Sequence, residues 1–431
     1  MTTLIHNCTA LLMDEGFTVL PHAFVAVSDS RIASVGTQRP EGPFDREIDG
    51  GGNVLMPGLV NAHTHVPMSL FRGYGGGVDL HTWLHRYIFP AEAKLDDRAV
   101  RAGTRLSLAE LIAGGVTLIA DMYDHCHEIC RAVTEAGLSA NISRGTTLFS
   151  PEFDPATEPS ILEAKSLAEE WHGYGEGQIL VDVSIHGEYT SRPVLWETLT
   201  DLARSRGLGM HVHVSETREE HEACLARFGK SPIQTLDQFG VWETRALAAH
   251  CVWTTPEDWA IMAEKGVTAV HNPASNLKLG SGVAPIPAMQ RAGVRIALGT
   301  DGASSNNSLD LFGEMKLAAL LQSGVQYDPL VLLPQDVLRM ATCQGAEALG
   351  RRTGRIAPGY MADLILVDCT RPNLTPCHSV ADNLVYAAHS SDVVMNMARG
   401  EVIYKEGVFF TLDLEEARRE VRDYALPLLF G

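Results

Sequence analysis

The chain has 431 residues, of which 45% are hydrophobic and 20% charged, and its formal net charge is −19. This balance is typical of a globular protein with room for one large barrel and a smaller domain, or for two to three ordinary domains. The acidic charge argues against nucleic acid as a partner, because phosphate binding needs a basic face. We expect a cytoplasmic protein with no membrane partner, since no apolar run is long enough to cross a bilayer and the first residues lack a signal-peptide pattern.

The first fifty or so residues form short β-like runs separated by Gly, Asp and Ser, as in "HAFVAVSDSRIASVG". A similar texture returns after about residue 355, in "GRIAPGYMADLILVDCT" and "VVMNMARGEVIYKEGVFF". A helical pattern, "LEEARREVRDYALPLLF", follows. We therefore expect one small β-sandwich domain built from both termini, with residues 1–56 as its first part and residues 356–431, including the helix, as its second.

Between these segments, helical patterns alternate with short apolar runs, as in "ICRAVTEAGL" followed by "SANISRG". Roughly eight apolar runs occur, which is typical of a parallel (β/α)₈ barrel. The sequence therefore predicts an α/β fold with a TIM-type barrel over residues 57–355. The segment "YDHCHEIC" has metal-binding residue types, but no second Cys/His pair follows at a finger-like spacing, so we interpret it as the start of a helix.

Active sites of such barrels lie at the C-terminal ends of the strands. The polar residues that end the apolar runs are His63, His65, His213, His250 and Asp301. Imidazole and carboxylate ligands together suit a borderline divalent cation, zinc first, with iron or manganese as alternatives. The sequence therefore predicts one divalent metal ion at this rim, with a coordination position left open for water.

His211 and His213 are two residues apart in one predicted strand, so both point to the same side and either could be the ligand. His213 is nearer to the C-terminal rim and lies three residues before Glu216. These features favour His213 and place His211 one layer lower in the barrel. We do not include His271 among the ligands.

Several long segments resemble the amidohydrolase superfamily, and within it the branch of 5′-methylthioadenosine/S-adenosylhomocysteine deaminases. They include "PGLVNAHTHVPMSLFRG", "HVHVSETREE", "LAAHCVW", "VHNPASNLKLGSGVAPI" and "LGTDGASSNNSLDLFGEMKLAALL". The resemblance implies a metal-dependent hydrolytic deaminase that removes the 6-amino group of an adenosine derivative. The substrates it implies are 5′-methylthioadenosine, S-adenosylhomocysteine, 5′-deoxyadenosine and adenosine, and the products are the inosine analogue and ammonia.

The resemblance also implies roles for individual residues. The implied metal ligands are His63, His65, His213 and Asp301. Glu216 is implied as the acid that protonates a purine ring nitrogen, and His250 as the residue that orients or polarises the attacking hydroxide. Asp301 can also accept the proton of the attacking water. The implied substrate contacts, besides Glu216, are Glu92 at the ribose hydroxyls, Arg144 and His186.

The number of metal ions follows from one absence in the sequence. Binuclear members of the superfamily use a lysine on the fourth strand as a carbamate bridge. The corresponding segment here, "QILVDVSIHGEYT", contains no lysine. The resemblance therefore implies a single metal ion.

Two departures from the branch bear on the substrate. The loop after Arg144, "GTTLFSPEFDPATEPS" (145–160), carries acids and no arginine, which favours an uncharged 5′ group over a carboxylate tail. Arg192 could compensate, although a surface role is the favoured interpretation. Glu188 lies in "HGEYTS", where the branch usually has "HAPYT", and could bind a cationic or hydroxyl-bearing group of the substrate, or could equally point into solvent.

The segment "LFRGYGGGVDLHTWLHRYIFPAEAKL" (70–95) combines glycines with aromatic residues. It predicts either a mobile lid or a packed segment over the barrel mouth. Trp83 is a candidate apolar wall for the purine or for its 5′ group.

Other functions share the same ligand set. A deaminase of guanine, a pterin or 8-oxoguanine, or a triazine hydrolase, would use the same mononuclear mechanism, but Glu92 favours a nucleoside because a free base has no ribose hydroxyls. A non-catalytic barrel is disfavoured because every implied ligand is present. We expect a small-molecule substrate as the partner. Self-association is common in this branch, which leaves a homo-oligomer as an open alternative.

Overall fold

The computed structural model describes residues 1–431. The chain begins with five strands: β1 (Thr2–Leu11), β2 (Val19–Ser28), β3 (Arg31–Gly36), β4 (Arg46–Asp49) and β5 (Val54–Pro57). Strand β1 pairs antiparallel with β2, and its other edge pairs in parallel with β4 and then with β5. The N-terminal part of the chain therefore forms the first part of a sheet, and later segments of the chain supply its remaining strands.

Eight parallel strands follow and form the barrel: β6 (Leu59–Thr64), β7 (Val116–Tyr123), β8 (Ser139–Thr146), β9 (Ile179–Gly187), β10 (Gly209–Val214), β11 (Ala246–His250), β12 (Thr268–His271) and β13 (Arg295–Leu298). Neighbours pair in chain order from β6 to β13. The first and last strands meet where the N–H of Asp301 donates to the carbonyl of His63 at 3.0 Å. Nearly every residue of these strands is buried, because helices cover the outer face and side chains fill the interior.

Helices connect the barrel strands and cover them. The longer ones are Asp97–Ala113, Cys126–Ala136, Pro159–Trp171, Pro193–Arg206, Arg218–Phe228, Pro232–Gln238, Pro256–Lys265, Leu311–Gln326 and Pro334–Met340. Many begin with proline in the first turn, where its missing N–H costs nothing. Thr255 and Asp258 form a capping box at one such start. None of the helices combines the length and the apolar character needed to cross a membrane.

Short helices occupy the connections: Leu80–Thr82, Trp83–Ile88, Phe89–Glu92, Tyr174–Gly177, Pro273–Lys278, Ile286–Arg291, Cys343–Ala348 and Val380–Asp382. Three of them lie consecutively between residues 80 and 92 and cover the C-terminal mouth of the barrel. Trp83 is only 6% exposed there. Of the two predicted forms of this segment, the structure has the packed cover.

Strands β14 (Leu364–Val367), β15 (Val393–Ala398), β16 (Glu401–Lys405) and β17 (Val408–Phe409) complete the small domain. Strand β14 lies between β5 and β15, so the two termini share one nine-stranded sheet. Buried residues from both halves form a single apolar cluster that includes Ile5, Val25, Leu364 and Met395. The predicted α/β barrel with a small β domain from both termini is confirmed.

The end of the chain is helical over Leu414–Glu420, Val421–Ala425 and Leu426–Phe430, and it packs on the barrel rather than on the sheet. Arg98 Nε donates to Glu420 at 2.8 Å. Lys94 Nζ donates to the carbonyl of Leu429 at 2.6 Å. The ring of Phe430 lies against Tyr74, with the ring centroids 4.8 Å apart. The last residues therefore contact both ends of the segment that covers the barrel mouth.

Candidate active site

A cavity opens at the C-terminal ends of the barrel strands, beneath the helical cover. Its lining contains every site residue that the sequence predicted apart from His63, which lies directly behind the lining. Trp83, Ile88 and Phe89 supply apolar surface from the cover. The cavity thus joins a polar floor to an apolar roof, as small-molecule sites commonly do.

Four side chains converge at the floor of the cavity. Asp301 Oδ1 lies 3.1 Å from Nε2 of His65 and 3.4 Å from Nε2 of His63. Nε2 of His213 lies 3.3 Å from Nε2 of His65. The two histidines of β6 point to the same side, as their spacing in a strand requires, and strand β10 supplies the third imidazole.

The Nδ1 atom of each imidazole is held from behind. His65 Nδ1–H donates to the carbonyl of Met122 at 2.5 Å, and His213 Nδ1–H donates to the carbonyl of His186 at 2.6 Å. Nδ1 of His63 lies 2.9 Å from Nε2 of His211, one layer below the site. With Nδ1 protonated, His65 and His213 direct Nε2 lone pairs toward Asp301, which is the orientation that metal ligation needs.

One atom has an unmet bonding requirement. Nε2 of His63 is buried and has no hydrogen-bond partner. An unpaired buried nitrogen is costly, and a cation at the convergence point would satisfy it. The donor set of three nitrogens and one carboxylate oxygen fits a divalent ion of zinc type. His250 has a donor atom within 4.8 Å of His63 and Asp301 and adds a further nitrogen to this cluster.

Asp301 is fixed on its outer oxygen as well. Its Oδ2 accepts hydrogen bonds from Ser275 at 2.6 Å and from Ser305 at 2.8 Å. Burial opposes ionisation, but the adjacent imidazoles of His63 and His65 hold the pKa of Asp301 well below its ordinary value. The sequence analysis missed both serines; their place in "NPASN" and "DGASSNN", beside predicted rim residues, was the available signal.

Glu216 and His250 lie side by side at the floor. His250 Nε2 is 3.8 Å from Glu216 Oε2, and its Nδ1–H donates to Asn276 Oδ1 at 2.8 Å. Burial raises the pKa of Glu216, which favours the protonated acid. Ser281 Oγ donates weakly to the same carboxyl group, at 3.4 Å. Glu216 therefore has both the position and the raised pKa that a proton donor needs, and the hydrogen bond to Asn276 fixes the ring orientation of His250.

Two further predicted residues line the wall. Glu92 accepts a 2.5 Å hydrogen bond from the Tyr123 hydroxyl, and burial raises the pKa of Glu92 to about 7. His186 lies next to His213, with ring centroids 4.7 Å apart. Burial lowers the pKa of His186 to about 3, so this ring is neutral and can accept or donate a hydrogen bond. Both side chains face the space that a ligand would occupy.

The model of the protein family described as "Amidohydrolase family" matches residues 54–403 of the chain. The chain belongs to the amidohydrolase family. It is 41% identical to a 5-methylthioadenosine/S-adenosylhomocysteine deaminase of Moorella thermoacetica, covering 97% of each chain. It is 40% identical to a 5′-deoxyadenosine deaminase of Methanosarcina mazei, covering 99% of this chain and 98% of the relative. A zinc-bound adenosine deaminase structure from Xanthomonas campestris superposes with a TM-score of 0.93 at 32% identity, covering 99% of this chain and 98% of the other. The resemblance seen in the sequence is confirmed.

Arg144 of this amidohydrolase lines the cavity but is not free. Its Nε donates to Glu163 Oε2 at 2.7 Å, and Nη1 donates to Asp124 Oδ1. Asp124 lines the same cavity. Neither acid was predicted from the sequence, because Asp124 follows another strand, Glu163 lies in a helix, and no local pattern connects them to the arginine.

Both expectations for Glu188 are wrong. The residue is fully buried, lies outside the cavity lining, and accepts two hydrogen bonds from Arg227 Nη2, each 2.7 Å long. The chain turns inward after β9 and meets the helix Arg218–Phe228, which carries this arginine. Arg192 is exposed, and its Nη1 donates to the carbonyl of Ser150 at 2.8 Å, so it anchors the neighbouring loop.

The Cys- and His-containing segment begins the predicted helix, which spans Cys126–Ala136. His125 pairs with Asp97 at 2.6 Å, and His127 accepts a hydrogen bond from Trp171 at 3.1 Å. Strand β9 contains no lysine. His271 ends β12, is buried, and has no hydrogen-bond partner on either ring nitrogen.

Proposed function

We propose that the protein is a metal-dependent hydrolytic deaminase that removes the 6-amino group of an adenosine derivative and releases ammonia and the inosine analogue. One observation carries the proposal. The imidazoles of His65 and His213 and the carboxylate of Asp301 meet in a cavity that also contains the buried acid Glu216 and, on its wall, Glu92. The names of the nucleoside deaminases that resemble this chain support the same substrate class.

In this proposal, one divalent ion, zinc first and iron or manganese as alternatives, is held by His63, His65, His213 and Asp301. When bound, such an ion lowers the pKa of water from about 15.7 to about 7, so that a nucleophile is available at neutral pH. Asp301 accepts the proton that the water loses. Ser275 and Ser305 keep its outer oxygen in place while this proton moves.

Glu216 supplies the acid. Attack at the ring carbon that carries the amine places negative charge on the adjacent ring nitrogen, and a proton from Glu216 offsets it. The raised pKa of Glu216 keeps this proton available near neutrality. His250, held by Asn276, orients the attacking oxygen. Asp301 passes the proton that it took from water to the departing amine, so ammonia leaves, and the hydroxyl proton returns to Glu216 as the ring carbon forms its carbonyl bond to the oxygen.

The other residues position the nucleoside. Glu92 accepts hydrogen bonds from ribose hydroxyls, and Tyr123 fixes its carboxylate. His186 contacts the purine, and Trp83 packs on the ligand from the cover. Arg144 borders the space beyond the ribose. We also propose a cytoplasmic location, a small molecule rather than nucleic acid as the partner, and self-association as the alternative to a monomer.

The test is kcat/KM for ammonia release by metal-loaded protein. The panel contains adenosine, 5′-deoxyadenosine, 5′-methylthioadenosine, S-adenosylhomocysteine, guanine and a pterin. We expect turnover of the nucleosides alone. Glu92→Gln serves as the matched probe of the ribose contact and should raise KM for nucleosides. Turnover confined to guanine or the pterin, or no turnover by protein with stoichiometric metal, would overturn the proposal.

A further inference from the structure

We propose that Asp124 makes the ribose end of the cavity selective for charge, so that the enzyme prefers neutral or cationic 5′ substituents to anionic ones. The inference rests on the proposed function, because it concerns the substituent that an adenosine derivative would place there. It identifies Asp124 as a specificity-determining residue of that site.

The first observation is the state of Arg144, the cation nearest to this end of the cavity. Its side chain is 16% exposed and is held between Asp124 and Glu163. Two carboxylates therefore face one guanidinium, and the local group carries a net negative charge. A ligand carboxylate would have to compete with Asp124 for the arginine.

The second observation is the position of this pair. Asp124 and Arg144 line the active-site cavity and also a second, wholly polar cavity on the outside, whose other lining residues are Asp97, His125, His127, Glu128, Arg131 and Glu163. The pair forms the wall between the two spaces. The side chain of Asp124 is half exposed and borders both the active-site cavity and the outer cavity.

The third observation connects the pair to the ribose. Tyr123, which immediately precedes Asp124, donates its hydroxyl to Glu92. Burial raises the pKa of Glu92, and the nearby charge of Asp124 raises it further. Glu92, the proposed ribose ligand, lines the same cavity as Asp124 and Arg144, and the proposal places the 5′ group of a bound nucleoside beside this pair.

The charge preference follows from Coulomb's law at short range and reduced dielectric constant. A substrate ammonium group would gain attraction from Asp124, and a carboxylate would meet repulsion from Asp124 and Glu163 that one arginine does not cancel. The one negative charge of this group that Arg144 does not balance would change kcat/KM for a charged substrate by about one order of magnitude. A neutral thioether or methyl group would be little affected.

The experiment compares three adenosine analogues that differ mainly in 5′ charge: 5′-amino-5′-deoxyadenosine, 5′-methylthioadenosine and adenosine 5′-carboxylate. We expect the cation to exceed the anion in kcat/KM by about tenfold or more in the wild-type enzyme. Asp124→Asn should reduce this cation-to-anion ratio by about tenfold. Asp97→Asn is the matched control, since Asp97 lies in the outer cavity without contacting Arg144, and it should leave the ratio unchanged.

The possible outcomes separate the two proposals. A wild-type ratio near one, a preference for the carboxylate, or an unchanged ratio in Asp124→Asn would overturn the charge selectivity while leaving the deaminase proposal intact. Failure to turn over any of the three analogues would instead contradict the proposed function. If Asp124→Asn does not fold, Asp124→Ser tests the same ratio, and a Ser variant that keeps the wild-type ratio also overturns the inference.

Discussion

The two ends of the barrel both bury polar side chains, but these side chains differ in whether they have hydrogen-bond partners within the chain. At the C-terminal end, Nε2 of His63 has no partner, and imidazoles crowd around Asp301. At the N-terminal end, Asp182 accepts hydrogen bonds from Arg245, from Asn141 Nδ2 at 2.8 Å and from the N–H of Gly209 at 3.1 Å. The same strands therefore carry an incomplete polar cluster at one end and a complete one at the other.

The complete cluster extends to the chain that leaves the barrel. Arg351 Nε donates to Asn141 Oδ1 at 2.9 Å, and its other nitrogens donate to backbone carbonyls of Ala140 and Gly177. Nothing in this cluster needs an external ligand. The two clusters therefore differ in that Asp182, Asn141 and Arg351 have all their partners within the chain, whereas His63 does not.

The largest expected effect comes from removing the unpartnered atom. His63→Asn should lower kcat/KM by about 10⁴-fold, because a proposed metal ligand is lost. Metal content, measured by atomic emission, should fall with activity. Full activity together with stoichiometric metal in this variant would contradict the assignment of His63.

Glu216→Gln should have the next largest effect. The amide has the same size but cannot donate a carboxyl proton, so kcat should fall about 10³-fold with little change in KM. The metal content should remain that of the wild type. A variant that loses metal as well would show that Glu216 maintains the centre instead of supplying the acid.

A substitution in the cluster around Asp182 should change the stability of the fold and should not change kcat. Asp182→Asn leaves Arg245 without its counter-ion and should lower the free energy of unfolding by about 3 kcal/mol. Denaturant unfolding measures this change, and kcat should stay near the wild-type value. Asp201→Asn, on an exposed acid at 3.8 Å from Arg204, is the matched control and should change stability by less than about 0.5 kcal/mol.

The smallest effect is the pH dependence of the same site. Although burial works against ionisation, Arg245 lowers the pKa of Asp182 below its ordinary value. A carboxyl group whose pKa is lower in the folded protein than in the unfolded protein stabilises the fold at pH values above its unfolded pKa of about 4. This stabilisation is lost as the pH falls toward the folded-state pKa. Between about pH 5 and pH 3 the wild type should therefore lose more stability than Asp182→Asn. Parallel curves of urea midpoint against pH would contradict this assignment.

Local patterns in the sequence predicted the barrel and the position of the candidate site. Alternating apolar runs marked the strands, and a two-residue spacing placed His63 and His65 on one side of β6. The ends of β10 and β11 and the segment after β13 supplied His213, His250 and Asp301 to the same rim. The structure brings these residues together because strand ends of a parallel barrel meet at one face regardless of the details of packing.

The pairings between side chains could not be predicted in the same way. Glu188 meets Arg227, and Arg144 meets Asp124 and Glu163, across separations of about twenty to forty residues. Each pair depends on how a helix lies against its strand, which the apolar pattern of a single segment does not specify. Ser275 reaches Asp301 from the helix Pro273–Lys278, which follows a different strand, whereas Ser305 reaches it from the turn that follows Asp301.

The contacts of the C-terminal residues have a practical consequence for handling the protein. Lys94 holds the carbonyl of Leu429, and Phe430 rests on Tyr74, at the two ends of the segment that roofs the cavity. A purification tag fused directly after Gly431 would strain these contacts, whereas one placed before Met1 would lie at the small domain. Loss of Leu429–Gly431 would leave the barrel folded and would loosen its roof, so trimming of the tail by a protease would be detected as a fall in substrate affinity before any fall in melting temperature.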